Sequence, residues 1–173
     1  MTEIPAAYRH LFTLIDPLIA LWGTSLFLFT PQTVTSSYLP PSYTPAALRD
    51  PATSHPASTL TSTTLSASLA EYSLPLHSQI AGHLISNAIL STVLLRTTSD
   101  VKVWRVYQLS VLVVDAFLLY GTFSSYALQG RSNPLTWRVE DWGAVAITAL
   151  AGLARALFLL GLGFPKQQRV KAA

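Results

Sequence analysis

The sequence predicts an all-α protein: a four-helix transmembrane bundle with a long Pro/Ser/Thr-rich loop between helices 1 and 2. Half of the 173 residues are hydrophobic and only 11% are charged, whereas a soluble domain carries about 25% charged residues. Four apolar stretches approach or exceed the roughly 20 residues that a helix needs to cross a bilayer. The length suits one domain, so residues 1–173 are predicted to form a single transmembrane domain.

The first span is predicted over about residues 8–29 and contains the dipeptide Asp16-Pro17. Because proline has no backbone N–H, Pro17 should kink the helix and free the carbonyl of Thr13. Asp16 would then lie at the kink and face the inside of the bundle. If Asp16 only capped a helix beginning at Pro17, about 13 apolar residues would remain, too few to span comfortably. A cleaved signal peptide would need a small-x-small site after the apolar run, and none follows.

Residues 30–75 are predicted to form the long loop. Six prolines between positions 31 and 56 interrupt a Ser/Thr-rich stretch that has almost no charge. Loops of this length are usually functional or disordered. The second half, residues 59–71, contains Leu60, Leu65 and Leu69 with few helix breakers, so either a short helix or an unstructured linker is expected there.

The third span, about residues 103–128, has a carboxylate near its middle, Asp115. A charge at that depth costs at least about 2.5 kcal/mol on insertion scales, so it normally faces the protein interior and has a partner. One helical stripe holds Gln108, Asp115 and Thr122, seven residues apart, and is extended by Trp104 and Tyr126. The sequence therefore predicts a polar inner face on this helix, with the other helices arranged around it.

Polar residues also recur along the second and fourth spans, predicted over about residues 76–96 and 142–164. In the second span they come every four residues: Gln79, His83, Asn87 and Ser91. In the fourth they come every seven: Asp141, Thr148 and Arg155. A rise of about 1.5 Å per residue places Asp16 roughly 8 Å deep, Arg155 roughly 14 Å and Asp115 roughly 18 Å. Charged groups from three helices therefore share one slab of the membrane.

Two carboxylates and one guanidinium at similar depth predict a catalytic cluster of Asp16, Asp115 and Arg155. An arginine between two carboxylates keeps at least one of them ionised, while desolvation could hold the other neutral. Such a pair supplies an acid and a base. That serves water activation with epoxide opening, or protonation of an alkene with removal of a neighbouring proton. The alternative is that the charges only fix helix register.

Further polar and aromatic side chains of the four spans are candidates for binding a substrate. They are His83, Asn87, Gln108, Thr122, Thr148, Trp104 and Trp22. For His83 the alternative is an ordinary core histidine. No metal site and no cofactor are predicted, because the chain has no cysteine and its four histidines lack ligand spacing.

The distribution of positive charge predicts the orientation. With both termini and the 97–102 turn on one side, that side holds Arg9, Arg96, Lys102, Arg105, Lys166, Arg169 and Lys171. The other side holds Arg49, Arg131 and Arg138. Seven against three favours cytosolic N and C termini under the positive-inside rule. We therefore expect an integral membrane protein of the endoplasmic reticulum, with the long loop on the lumenal side.

Several short motifs together resemble a group of small fungal four-span integral membrane proteins. They are Tyr8-Arg9, Asp16-Pro17, the Pro-rich loop, Leu95-Arg96, Asp100, Trp104-Arg105, Asp115, Asp141-Trp142 and Arg155. The layout is more distantly similar to the emopamil-binding superfamily, whose members bind or isomerise sterols in a membrane cavity. The resemblance implies that His83 corresponds to the histidine of those isomerases, although their intramembrane glutamates have no counterpart here. In size and topology the chain is also similar to small membrane hydrolases and cyclases of fungal secondary metabolism.

The sequence thus favours a membrane-embedded enzyme that performs acid/base chemistry on a lipophilic small molecule, either epoxide hydrolysis or cyclisation, or isomerisation. One alternative is a non-catalytic sterol- or lipid-binding membrane protein. Another is a small proton-coupled transporter, against which stand the long loop and Arg155, since Arg155 would neutralise a proton-carrying aspartate. The expected partners are the lipophilic substrate and membrane lipid, with a homo-oligomer as a further option. No nucleic-acid partner is expected.

Overall fold

The structure, a computed structural model, describes residues 3–31, 34–35 and 56–165, leaving aside the side chains of residues 56–72, 136 and 140. The described chain is all-α, with no strand in these ranges. The helices are Ala6–His10, a π-helical turn Leu11–Ile15, Asp16–Phe29, Pro56–Ile89, a second π-helical turn Leu90–Leu94, Leu95–Thr97, Val101–Leu128, a 3₁₀ turn Pro134–Thr136, and Val139–Leu159.

Four helical stretches are long and apolar enough to cross a membrane. They are the first span Ala6–Phe29, the second span Ser73–Thr97, the third span Val101–Leu128 and the fourth span Asp141–Leu159. The predicted fold class is confirmed, and it is consistent with an integral membrane protein. Large apolar side chains lie on the outside of these helices, such as Phe117 at 71% exposure and Val106 at 69%, as expected of surfaces that face lipid.

The fourth span ends at Leu159, whereas the sequence predicts that it runs to residue 164. Gly161 adopts φ +76°, a backbone conformation that glycine tolerates best. The Leu162 amide donates to the Leu157 carbonyl at 3.0 Å and the Gly161 amide donates to the Phe158 carbonyl at 3.0 Å, which together form a Schellman motif. The helix therefore stops at this glycine, ahead of Pro165.

The helix that contains the second span begins at Pro56, well before the expected end of the loop at residue 75. Residues 59–71 are helical, as one of the two alternatives expects, but they form part of one long helix with the second span and not a separate short helix. Pro56 suits the first turn, where no backbone N–H is needed. Residues 32–33 and 36–55 of the predicted loop lie outside the described residues.

The described chain divides into two compact units, Met1–Ile19 with Asn87–Ala173, and Ala20–Ser86. In the first unit, an aromatic core surrounds Phe158, which is 0% exposed. Its ring centroid lies 5.1 Å from that of Tyr8 and 5.5 Å from that of Phe12, both edge to face. The Tyr8 hydroxyl also donates to the carbonyl of Leu162 at 3.0 Å. The start of the first span is thereby fastened to the end of the fourth.

A π-helical turn, Leu11–Ile15, lies just before Asp16 and Pro17. As the sequence predicts, the carbonyl of Thr13 is free to bind elsewhere, and it accepts a hydrogen bond from Arg96 Nη2 at 3.0 Å. The turn packs against the second π-helical turn, Leu90–Leu94. Asp16 directly follows the first of these two π-helical turns. Turns of this kind occur frequently at functional sites.

In the second unit, small residues allow close contact between two helices. A Cβ at Gly23 would lie 3.2 Å from a methyl group of Leu84. The ring centroid of the buried His77 lies 5.8 Å from that of Phe27, with the rings tilted, and His77 shares a 3.2 Å hydrogen bond with the hydroxyl of Thr35. These contacts give this unit its own core.

Candidate functional site

Arg155 lies between two carboxylates at the centre of the first unit. Its Nη1 donates to Asp115 Oδ2 and its Nη2 donates to Asp16 Oδ1, each at 2.5 Å. Arg155 is 2% exposed and each aspartate is 8% exposed. The structure therefore brings together the three residues predicted to form a cluster, which we call the Arg155 cluster (Arg155, Asp16 and Asp115).

Three helices position these side chains. Asp16 comes from the first span directly after its π-helical turn, Asp115 from the middle of the third span, and Arg155 from the last turns of the fourth. Gly152 lies one turn before Arg155, and a Cβ there would meet Asp115 Oδ2 at 3.5 Å. The absence of a side chain at position 152 lets the third and fourth spans approach closely, as small residues do in membrane helices.

Hydrogen bonding in the Arg155 cluster is incomplete. Asp16 Oδ2 and Arg155 Nε are buried, and neither has a hydrogen-bond partner within the described chain. Gln108, two turns before Asp115, is 0% exposed, and neither its amide nitrogen nor its amide oxygen is bonded. Each buried polar atom left unpaired costs about 1–3 kcal/mol. A fold seldom leaves several buried polar atoms unpaired, so these atoms make this part of the first unit the candidate site.

A second set of polar groups lies beside this cluster. The Tyr107 hydroxyl donates to the side-chain oxygen of Asn87 and lies 3.0 Å from the Asn87 carbonyl. Tyr107 interacts electrostatically with Asp16 and Arg155. Ser91 is fully buried and donates to the Asn87 carbonyl at 2.7 Å. Tyr107 and Ser91 thus hold Asn87 in place, and its binding role stays a prediction.

The remaining predicted binding residues have other surroundings. Thr122 is half-buried, and Thr148, also half-buried, donates to the carbonyl of Ala144 in its own helix at 2.9 Å. Trp104 is 1% exposed and donates its Nε1 proton to the Thr98 carbonyl at 2.9 Å. His83 and Trp22 are exposed residues of the second unit. A core position for His83 is therefore wrong, and a binding role for these residues stays a prediction.

The spacing in the sequence predicts that Asp141 and Arg155 lie on one helix face, but Asp141 does not join the Arg155 cluster. It forms an ion pair with Arg131 and accepts a hydrogen bond from the Tyr126 hydroxyl at 3.0 Å. The backbone N–H of Arg138 donates to Asp141 Oδ2 at 2.8 Å, a cap on the first turn of the helix. We call this set the Asp141 cluster (Asp141, Arg131, Tyr126 and Arg138). It lies at the loop between the third and fourth spans.

Three contributors were not among the predicted site residues: Tyr107, Gly152 and Arg96. Tyr107 could have been suggested by its place next to Gln108 on the polar face. Gly152 is one of several small residues in the fourth span. The sequence does not show which residue of another helix lies against it. Arg96 gives no signal for its contact with Thr13, because that contact depends on tertiary packing.

These features define a class: an all-α protein with four apolar helices long enough to span a membrane and a buried, incompletely bonded Asp–Arg–Asp cluster among three of them. Within that class, the chain belongs to the family described as a domain of unknown function, DUF7704, whose model matches residues 1–165. Neither the curated proteins nor the solved structures gave a match to this chain.

Proposed function

We propose that this protein is a membrane-embedded enzyme that performs acid/base chemistry on a lipophilic small molecule, with Asp16, Asp115 and Arg155 at its centre. The observation that carries the proposal is the state of the Asp16 carboxylate. One oxygen, Oδ1, is fixed by Arg155 at 2.5 Å, while the other, Oδ2, is buried without a hydrogen-bond partner in the described chain. A carboxylate oxygen held in place but unbonded is suited to accept a proton from a bound molecule.

The proposed roles follow from charge and contact. With both carboxyls ionised, the three side chains of the Arg155 cluster sum to one negative charge, and uptake of a single proton makes the cluster neutral. Arg155 keeps the two carboxyls close together without strong repulsion. Asp16 takes the proton through Oδ2, and Asp115 is the second carboxyl of the acid/base pair. The reaction classes that fit are opening or cyclisation of an epoxide and isomerisation of an alkene.

Amide groups beside the cluster support binding of an oxygenated substrate. The unbonded Gln108 amide can donate to an epoxide or hydroxyl oxygen and accept from a hydroxyl. Asn87, held by Tyr107, offers a further amide at the same edge. A lipophilic substrate would reach these groups from the bilayer, in keeping with the apolar outer faces of the helices.

A non-catalytic sterol- or lipid-binding role is the second candidate. The observation that favours it is that Arg155 pairs with both carboxylates, because a cluster closed by ion pairs can serve helix packing alone. The proton-coupled transporter is less well supported, since each aspartate is already ion-paired with Arg155.

The test compares three buried carboxylates after the same isosteric change. Asp16→Asn, Asp115→Asn and the control Asp141→Asn are purified as monodisperse protein. Product per folded molecule is measured with two probes, trans-stilbene oxide for epoxide opening and a Δ8-sterol for isomerisation. We expect the first two variants to lose at least about a hundredfold in turnover, the usual contribution of a general base, and Asp141→Asn to keep its specific activity.

Normal specific activity in both Asp16→Asn and Asp115→Asn would contradict the catalytic proposal. If the unmodified protein turned over neither probe, the lipid-binding role would be favoured over the catalytic one.

We also propose that both termini face the cytosol and that the protein resides in the endoplasmic reticulum. The support is the seven-to-three distribution of positive residues described above. A reporter fused after Ala173 should be cytosolic, and a tag inserted near Pro51 should be lumenal. A protected C-terminus together with a cytosolic tag would reverse the orientation.

A further inference from the structure

A cavity of about 350 Å³ lies at one end of the first unit, separate from the side chains of the Arg155 cluster. Three of its lining residues are basic: Arg9, His10 and Arg96. Thr98 and Ser99 contribute hydroxyl groups, and Leu14, which is 49% exposed, contributes an apolar wall. No carboxylate is among the lining residues found in the described chain. The cavity is therefore a positively charged pocket with one apolar side.

The guanidinium groups in this pocket are available to a ligand. Arg96 donates one N–H to the carbonyl of Thr13 at 3.0 Å, which fixes the side chain and leaves its other donors facing no partner in the described chain. Arg9 is exposed, and its backbone carbonyl, not its side chain, is bonded to the Thr13 hydroxyl. Two arginines, one of them already oriented, supply the planar N–H pairs that recognise phosphate oxygens.

The pocket lies where lipid headgroups would be. Arg9 is in the first turn of the first span, Arg96 is in the last turn of the second, and Trp104 is in the first turn of the third. Span ends of this kind lie at the boundary between hydrocarbon and headgroups. Basic pockets between membrane helices on the cytosolic side bind anionic headgroups, and about 350 Å³ is within the roughly 300–1,000 Å³ of ordinary ligand sites.

We propose that this pocket binds the phosphate group of an anionic membrane lipid, with the phosphate between Arg9 and Arg96 and the lipid's glycerol and upper acyl chain against Leu14. His10 adds a third nitrogen donor. The phosphate chemistry is shared with free inorganic phosphate, but the apolar wall and the interfacial position favour a lipid. This site is independent of whether the Arg155 cluster is catalytic.

Native mass spectrometry of the full-length protein in detergent tests the proposal. The protein is titrated with dioleoyl phosphatidic acid, with dioleoyl phosphatidylcholine, and with phosphatidic acid in the presence of inorganic phosphate. We expect one phosphatidic acid to bind at least about tenfold more tightly than phosphatidylcholine. We expect Arg9→Gln and Arg96→Gln each to weaken that binding by about tenfold, because a hydrogen bond to a charged group is lost.

Lys102→Gln is the matched control, because Lys102 is an exposed basic residue at the same end of the unit that does not line the pocket. Its affinity should be unchanged. Arg9→Gln keeps the test decisive if Arg96→Gln fails to fold through loss of the Thr13 contact. Equal weakening in Lys102→Gln, or equal affinity for both lipids, would show only non-specific surface attraction and overturn the proposal. Displacement of the lipid by millimolar inorganic phosphate would show that phosphate alone is the ligand and overturn the lipid assignment.

Discussion

The Arg155 cluster and the Asp141 cluster both bury an arginine against a carboxylate in the same unit, but their hydrogen bonding differs. In the Asp141 cluster, Oδ1 accepts from Tyr126, and Oδ2 accepts from Arg131 and from the Arg138 backbone. The Trp137 ring packs 5.2 Å from that of Tyr126, and its Nε1 proton is donated to the Arg131 carbonyl at 2.9 Å. Both oxygens of this carboxylate therefore accept hydrogen bonds.

In the Arg155 cluster, by contrast, buried atoms of Asp16 and Arg155 remain unbonded within the described chain. The Asp141 carboxylate, whose two oxygens both accept hydrogen bonds, lies at a loop and caps a helix, which is a structural task. The Asp16 carboxylate, one oxygen of which is unbonded, lies inside the spans, where an unbonded polar atom is hardest to tolerate. The difference teaches that burial of charge alone does not separate a structural ion pair from a candidate site, whereas an unbonded carboxylate oxygen distinguishes the two.

The largest expected effect is on stability when each arginine is removed. Arg155→Leu should cost about 3–5 kcal/mol, because two buried carboxylates lose their counter-charge. Arg131→Leu should cost less, about 1–3 kcal/mol, because Asp141 keeps the donors from Tyr126 and the Arg138 backbone. Thermal and denaturant unfolding in detergent would measure both. Similar losses would mean that the two clusters do not differ in the way proposed.

A smaller loss of stability is expected when a carboxylate is replaced by an amide. Here the variant of the Asp141 cluster should lose more than the variant of the Arg155 cluster. Asp141→Asn should lose about 1.5–3 kcal/mol, since its new NH₂ group must face a donor at one of the two positions. Asp16→Asn should lose less, because its NH₂ group can take the Oδ2 position, which faces no donor in the described chain. The midpoints of denaturant unfolding compare the pair. A greater loss for Asp16→Asn would indicate that Oδ2 has a partner.

The smallest effect is expected for a single hydroxyl of the Asp141 cluster. Tyr126→Phe removes one hydrogen bond to Asp141 and should cost about 0.5–1.5 kcal/mol. The matched control is Tyr120→Phe on the same helix, where the ring is 71% exposed and no change in the unfolding midpoint is expected. If the two variants had equal stability, the Tyr126 hydroxyl would not contribute to the cluster.

Most of the fold and the centre of the site could be predicted from sequence. Apolar length sets the spans, and the cost of a charge in lipid requires Asp16, Asp115 and Arg155 to find one another. The freed carbonyl of Thr13 followed from Pro17 alone. These predictions succeed because each depends on one strong physical constraint and a known helical rise.

The rest depended on loops and tertiary packing. Seven-residue spacing placed Asp141 on the face of Arg155, but Gly130 at φ +68° begins a turn that brings Arg131 back to Asp141. Tyr126, read as part of the polar stripe, serves that pair instead. The start of a helix at Pro56 could not be predicted, because a Ser/Thr-rich composition is compatible with both a helix and a loop.

The π-helical turn Leu11–Ile15 also limits how the chain can change in length. A bond from residue i to i+5 encloses one residue more than an α-helical bond, so the turn acts as an insertion that the helix has absorbed. An α-helix rotates about 100° per residue. Deleting one residue here would return the turn to α-helical geometry and keep Tyr8 and Asp16 on their present faces. Inserting one more residue would instead turn Tyr8 by about that angle relative to Asp16, and either the Leu162 hydrogen bond or the Arg155 ion pair would be lost.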